Sequence, residues 1–200
     1  LDKLMEAAEN PFAPGAGTQP PELTGRNVVL SRAKTVLTRV KKGLSDRSIL
    51  LIGLRGVGKT VLLNRIDDIA ERNSYLSTLI EAPENKSLGE LLVPSLRQIL
   101  IKLDRMEGAK EKWRIATSAL KAFASGIKFK LGDIGLEMDW ERGVADSGVL
   151  DTDIVDLLVS IGEAAREKNT AVAILIDELQ YVQEKELAAL FAGLHRVGQK

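Results

Sequence analysis

Residues Leu50–Leu63 read LLIGLRGVGKTVLL, two aliphatic runs interrupted by three glycines and a lysine. Glycine loses more conformational freedom on folding than any other residue, so this spacing needs a reason. The run Gly53, Leu54, Arg55, Gly56, Val57, Gly58, Lys59, Thr60 fits the pattern G-x-x-x-x-G-K-[ST]. Its glycines let the backbone curl without Cβ clashes, so that successive N–H groups converge on phosphate oxygens. A helix starting near Lys59 adds its positive end to the same point. In such a loop the lysine reaches the β- and γ-phosphates and the hydroxyl, here that of Thr60, coordinates Mg²⁺. The candidate phosphate-binding residues therefore run from Gly53 to Val61.

Outward from the loop, RSILLIG reads as a short buried strand before it, and KTVLLNRIDDIAERN as a helix after it. YLSTLIEA is a second strand closed by Pro83. SLGELLVPSLRQILIKLDRM is a long helix capped at Ser87, which Pro94 should bend or break. AKEKWRIATSALKAFASG is another helix, with Trp113, Ala116, Leu120 and Phe123 on one stripe. In GIKFKLGDIGLEMDWE, apolar and charged residues alternate about a glycine-bounded turn, which reads as a hairpin pairing Phe129 with Met138 and Lys130 with Glu137. A loop, GVADSGVLD, leads to the helix TDIVDLLVSIGEAAREKN, the buried strand TAVAILIDE and a last helix, EKELAALFAGLHRVGQ. Upstream of the loop, RNVVLSRAKTVLTRVKKG is an amphipathic helix whose stripe is Val29, Ala33, Val36, Leu37 and Val40. Before it come a short helix, Asp2–Ala8, and an irregular arm holding four of the six prolines.

The strand Ala173–Ile176 ends in Asp177 and Glu178. A phosphate-binding loop needs a neighbouring strand that presents an Asp to the Mg²⁺ shell, and Asp177 fits. Glu178, one residue on, is placed to polarise an attacking water, which makes Glu178 and Lys59 the candidate catalytic residues.

Composition bounds the remaining possibilities. Two hundred residues, 44% of them hydrophobic, suffice for a substantial core. Lys and Arg balance Asp and Glu at 28 each, so no overall field draws the chain to nucleic acid or anionic membrane, although local patches such as Arg39, Lys41 and Lys42 can. The absence of cysteine excludes disulfides and thiolate chemistry and fits a cytoplasmic location. No apolar run approaches the ~20 residues of a membrane helix, and nothing at the start reads as a secretory signal. The first residue is Leu, as in a piece of a longer protein. His195 is the only histidine, which leaves a histidine metal site unsupported; it reads as a partly exposed residue on the last helix, and Arg55 as an exposed loop position.

GLRGVGKT followed by LIDE, with PPELTGR upstream, resembles the AAA+ branch of the P-loop ATPases, near origin-recognition initiators and signalling NTPases. The resemblance implies an α/β three-layer sandwich with a central, mostly parallel sheet. Residues 1–25 would be an arm and 26–200 the front part of the ATPase domain, with a helical pair and hairpin inserted at about 105–145. It implies ATP and Mg²⁺ as ligands, with Thr60 and Asp177 at the metal and Leu23, Thr24, Gly25 and Arg26 near the adenine. It also implies hydrolysis that drives conformational change on a macromolecular partner, DNA or protein, with possible self-association; the alternative is a nucleotide-controlled switch or scaffold with slow turnover. In this family a further strand lies between those of Ile49–Ile52 and Ala173–Ile176, and a sensor residue, an arginine finger and a helical lid follow the last helix seen here. A GTPase is disfavoured because ENKSLG has Leu88 where the base-reading Asp belongs. Asn85 and Lys86 read instead as helix entry. A small-molecule kinase shares the loop but needs a lid of basic residues, and nothing in the sequence marks a phosphate-acceptor site.

Overall fold

A computed structural model describes residues 26–108, 110–126 and 150–197. Seven-residue strands β1 (Tyr75–Glu81) and β2 (Ala171–Asp177) pair in parallel, with Tyr75 opposite Ala171 and Glu81 opposite Asp177. Among the described residues, six helices surround them: α1 (Asn27–Lys41), α2 (Lys59–Arg72), α3 (Leu88–Asp104), α4 (Glu111–Gly126), α5 (Leu150–Glu167) and α6 (Glu184–Val197). A single turn of 3₁₀ helix, Leu179–Tyr181, links β2 to α6.

Strand periodicity sorts the core into two layers of packing. Leu76, Ile80, Val172, Ile174 and Ile176 point to one face and join the large cluster made by α3, α4, α5 and α6, including Leu96, Ile99, Phe123, Ile154 and Leu157. Tyr75, Ala171 and Ala173 point to the other and pack with Leu37 of α1 and Ala70 of α2. Helices thus cover both faces of a parallel pair, the arrangement in which a strand buried on both sides can be apolar throughout.

Local chemistry sets the element ends. At α3, Ser87 accepts from the Glu90 N–H while the Glu90 carboxylate accepts from the Ser87 N–H, a complete capping box. Asn85 and Lys86 precede it as entry residues. Pro94 does not break the helix: α3 runs unbroken to Asp104, with Pro94 on its exposed side, where its missing N–H costs one helical hydrogen bond. The α4 stripe packs as its spacing predicts, and Trp113 adds an indole N–H donated to the Leu100 carbonyl at 2.8 Å. On α1, Ala33 and Leu37 are buried, but Val40 is exposed.

The main departure from the sequence reading is the strand Ile49–Ile52. Residues 44–54 form neither helix nor ladder, and 45–57 make no backbone–backbone hydrogen bond among the described residues. A strand exists only by pairing, and this segment has no neighbour. The sheet is therefore two-stranded among the described residues, not the broader one the family implies. Between the segment 45–51 and β2 lies a groove of about 1170 Å³, lined by Ile49, Leu51, Val172, Ile174, Leu190 and Phe191 among others. It stands where the resemblance puts a further strand. Asp151 and Leu150 belong to α5 rather than to the preceding loop. The hairpin of 127–140, the short helix Asp2–Ala8 and the proline-rich arm lie outside the described residues.

Candidate functional site

The site forms where the glycine loop enters α2 beside the C-terminal end of β2. Gly56 and Gly58 have φ of 81° and 83°, a left-handed conformation that side chains rarely adopt, and a Cβ built at either meets nothing within 4 Å. The glycines there serve backbone shape rather than close packing. Gly58 caps α2 with no side-chain hydrogen bond, and the first intrahelical bond is donated by Leu62 to the Gly58 carbonyl. The N–H groups of Lys59, Thr60 and Val61 are thus the unclaimed donors of a helix N-terminus, where an anion is favoured.

The Lys59 ammonium donates to the carbonyls of Gly53 at 3.0 Å and Leu54 at 2.9 Å, folding the lysine across the loop. The Arg26 guanidinium donates to the Val57 carbonyl at the loop's crest. Leu54 and Arg55 are exposed, and no side-chain partner holds Arg55 among the described residues.

Asp177 is buried at the end of β2, with both carboxylate oxygens engaged. Oδ2 accepts the Thr60 hydroxyl at 2.6 Å and Oδ1 accepts the Glu178 N–H at 2.9 Å. Residues 117 positions apart in sequence meet here. A hydroxyl and a carboxylate side by side are the oxygen donors that a hard, octahedral cation such as Mg²⁺ selects, so the residues present fit that ion. Glu178 follows in a left-handed conformation, φ 53° and ψ 36°, and its carboxylate accepts from the Gln180 side-chain amide.

Of the residues singled out from sequence, Gly53 to Val61, Asp177 and Glu178 share one locality. Arg26 reaches the loop through Val57; Gly25, Leu23 and Thr24 lie outside the described residues. His195 is exposed on α6 and borders the groove. Sequence reasoning missed the Arg26 tether, the lysine's folding onto carbonyls and the Gln180–Glu178 pair. Only the last left a trace, as an amide two positions after the acid in DELQ.

A glycine loop opening a helix whose first-turn threonine meets the acid ending a parallel strand defines a P-loop nucleotide-binding domain. The chain belongs to the AAA ATPase domain family, whose model matches residues 22–200. No curated protein and no solved structure matches it. The family carries with it ATP binding and a requirement for Mg²⁺. No helix among the described residues is long and apolar enough to cross a membrane.

Proposed function

We propose that this chain is the ATP-binding domain of an AAA+-type ATPase that hydrolyses ATP and turns the change of bound nucleotide into conformational work on a macromolecular partner. The observation that carries the reading is the 2.6 Å hydrogen bond from Thr60 to Asp177, which holds the two metal-binding oxygens together in advance. In this reading the backbone of Gly53–Val61 binds the phosphates and Lys59 leaves the Gly53 and Leu54 carbonyls to neutralise the β- and γ-oxygens. Mg²⁺, when bound by Thr60 and Asp177, neutralises developing charge on the phosphates. Glu178 holds the attacking water and takes its proton. The likeness to origin-recognition initiators and signalling NTPases belongs to the same proposal.

A second reading has one observation in its favour. Glu178 is hydrogen-bonded to Gln180 rather than free to hold water, which suits a switch in which bound nucleotide selects a state and turnover is slow.

Thermal denaturation with ATP or GTP, with and without Mg²⁺, tests the common part, because a ligand that binds the native state raises stability by about 2.7 kcal/mol at a hundred times its Kd. ATP with Mg²⁺ is expected to raise Tm more than GTP, and Lys59→Ala to abolish the rise. Glu178→Gln should keep the rise while phosphate release stops. Full turnover by Glu178→Gln removes that carboxylate from the mechanism; a stable Mg²⁺–ATP complex with negligible wild-type turnover selects the switch.

A further inference from the structure

Although the chain is neutral overall, its charge is segregated. Residues 26–59 carry nine Lys and Arg and a single acid, Asp46, so the remaining residues hold an excess of acid. All of 26–59 lie in the described structure, as α1, the unpaired segment and the phosphate loop. Of the α1 stripe, Ala33 and Leu37 are buried, Leu37 with Ala70 of α2 and Tyr75 of β1, while Val36 and Val40 line the groove; Arg32, Lys34, Arg39, Lys41 and the following Lys42 are exposed. The hydroxyls of Thr35 and Thr38 are turned back to their own helix, onto the carbonyls of Ser31 and Lys34. Asp46 is shared by Arg32 at 2.6 Å and Arg39 at 2.9 Å, so two cations face one carboxylate. Lys41 donates to the Asn73 carbonyl. Lys34, Lys42 and Arg47 have no side-chain partner among the described residues and are exposed. Even counting α2, which adds Arg65 and Arg72 against Asp67, Asp68 and Glu71, the α1–α2 unit remains strongly positive. A favourable helix dipole accounts for Lys41 and Lys42 near the end of α1, but not for Lys34 or Arg47.

We propose that the exposed arc of α1, continued by Arg47, binds the phosphate backbone of duplex DNA without reading its sequence. Charge complementarity identifies a polyanion, and three features narrow it. First, α1 is about 22 Å long at 1.5 Å per residue, a length along which a duplex offers many phosphates. Second, residues 26–59 contain none of the eight aromatic side chains, so the patch has no stacking platform for a single strand. Third, Ala33 and Leu37 are buried and Val36 and Val40 face the groove, so α1 turns no apolar stripe outward to sink into a membrane interface as an amphipathic anchor does. The arc offers no glutamine and one asparagine, Asn27, too few amides to read bases.

Fluorescence anisotropy of a labelled duplex of arbitrary sequence, about 20 base pairs long, tests this in the absence of nucleotide. Three free cations and one net charge around Asp46 correspond to about four phosphates, so log K should fall with log salt at a slope of about −3 to −4. Affinity should drop on the order of a hundredfold between about 50 and about 200 mM salt. The double variant Lys34→Glu/Lys42→Glu should make the slope shallower by about two and weaken low-salt binding at least about tenfold. Arg47→Glu, in a segment with no backbone pairing, should weaken binding without touching the helix. Lys59→Ala should bind duplex like the wild type. The proposal is overturned if binding is absent or independent of salt, if these charge reversals leave it unchanged, or if Lys59→Ala alone abolishes it. Equal binding of a single strand or of polyglutamate overturns it as well.

Discussion

At the scale of single residues, the site depends on Asp177 having both oxygens occupied by its own chain, one by Thr60 and one by the Glu178 N–H. That fixes the carboxylate before any ion arrives, and fixed charge costs no reorganisation when it is used. Asp177→Asn keeps an acceptor for the Glu178 N–H, and its amide NH2 can donate to the Thr60 oxygen, but it removes the negative charge a cation needs. The expected outcome is a protein of near wild-type melting temperature whose stabilisation by ATP no longer differs with and without Mg²⁺. Thermal denaturation in the two conditions measures it; a Mg²⁺ effect of wild-type size would place the ion elsewhere. The glycine loop and the DE pair were legible because each is a local pattern with a local cause. The pairs Arg26–Val57 and Gln180–Glu178 were not, because a donor on a long side chain chooses its carbonyl or carboxylate only after the backbone is placed.

Among the elements, those whose ends are set by nearby residues were read correctly. α3 starts where Ser87 and Glu90 cap each other, and α2 starts at the left-handed Gly58. Ser87→Ala should cost about 1 kcal/mol. The Glu90 carboxylate, accepting from the Ser87 N–H and hydroxyl, is held below its ordinary value of 4.5. A lowered folded pKa stabilises above the unfolded value, and that stabilisation is lost as pH falls through the folded one. The Tm gap between wild type and Ser87→Ala should therefore narrow below pH 4.5, the value from which Glu90 is lowered; an unchanged gap in melting curves across that range would show that the box contributes no acid sensitivity. Between elements, the buried Tyr75 hydroxyl of β1 donates to the Leu37 carbonyl of α1 at 2.6 Å. Tyr75→Phe should cost about 1 kcal/mol, since Leu37 keeps its helical acceptor role, and lower Tm by about 2–4 °C. Of the bend or break expected at Pro94, the break does not occur, because a helix packed along its other face tolerates the loss of one hydrogen bond on its exposed side.

For the molecule as a whole, the informative feature is the sheet. Three apolar segments, ILLI, YLSTLI and AVAILI, look alike in sequence, yet only the last two form a ladder. Periodicity reports that a segment can be buried; it says nothing about which neighbour is present. β2 therefore pairs with β1 on one edge and faces the groove with the other, and its residues are only partly buried along most of their length. In a parallel strand, successive N–H groups point alternately to the two edges, so half the β2 amides are held by β1 and half by nothing among the described residues. Hydrogen exchange across Ala171–Asp177 should accordingly show a period of two, with protected amides exchanging only by wider opening and the alternate ones exchanging orders of magnitude faster. An exposed, apolar edge is also a template for another strand, so the fast set should become protected as protein concentration rises if copies pair there. Uniform protection at the lowest measurable concentration would mean that β2 is flanked on both edges within one molecule, and the open groove would then not exist in solution.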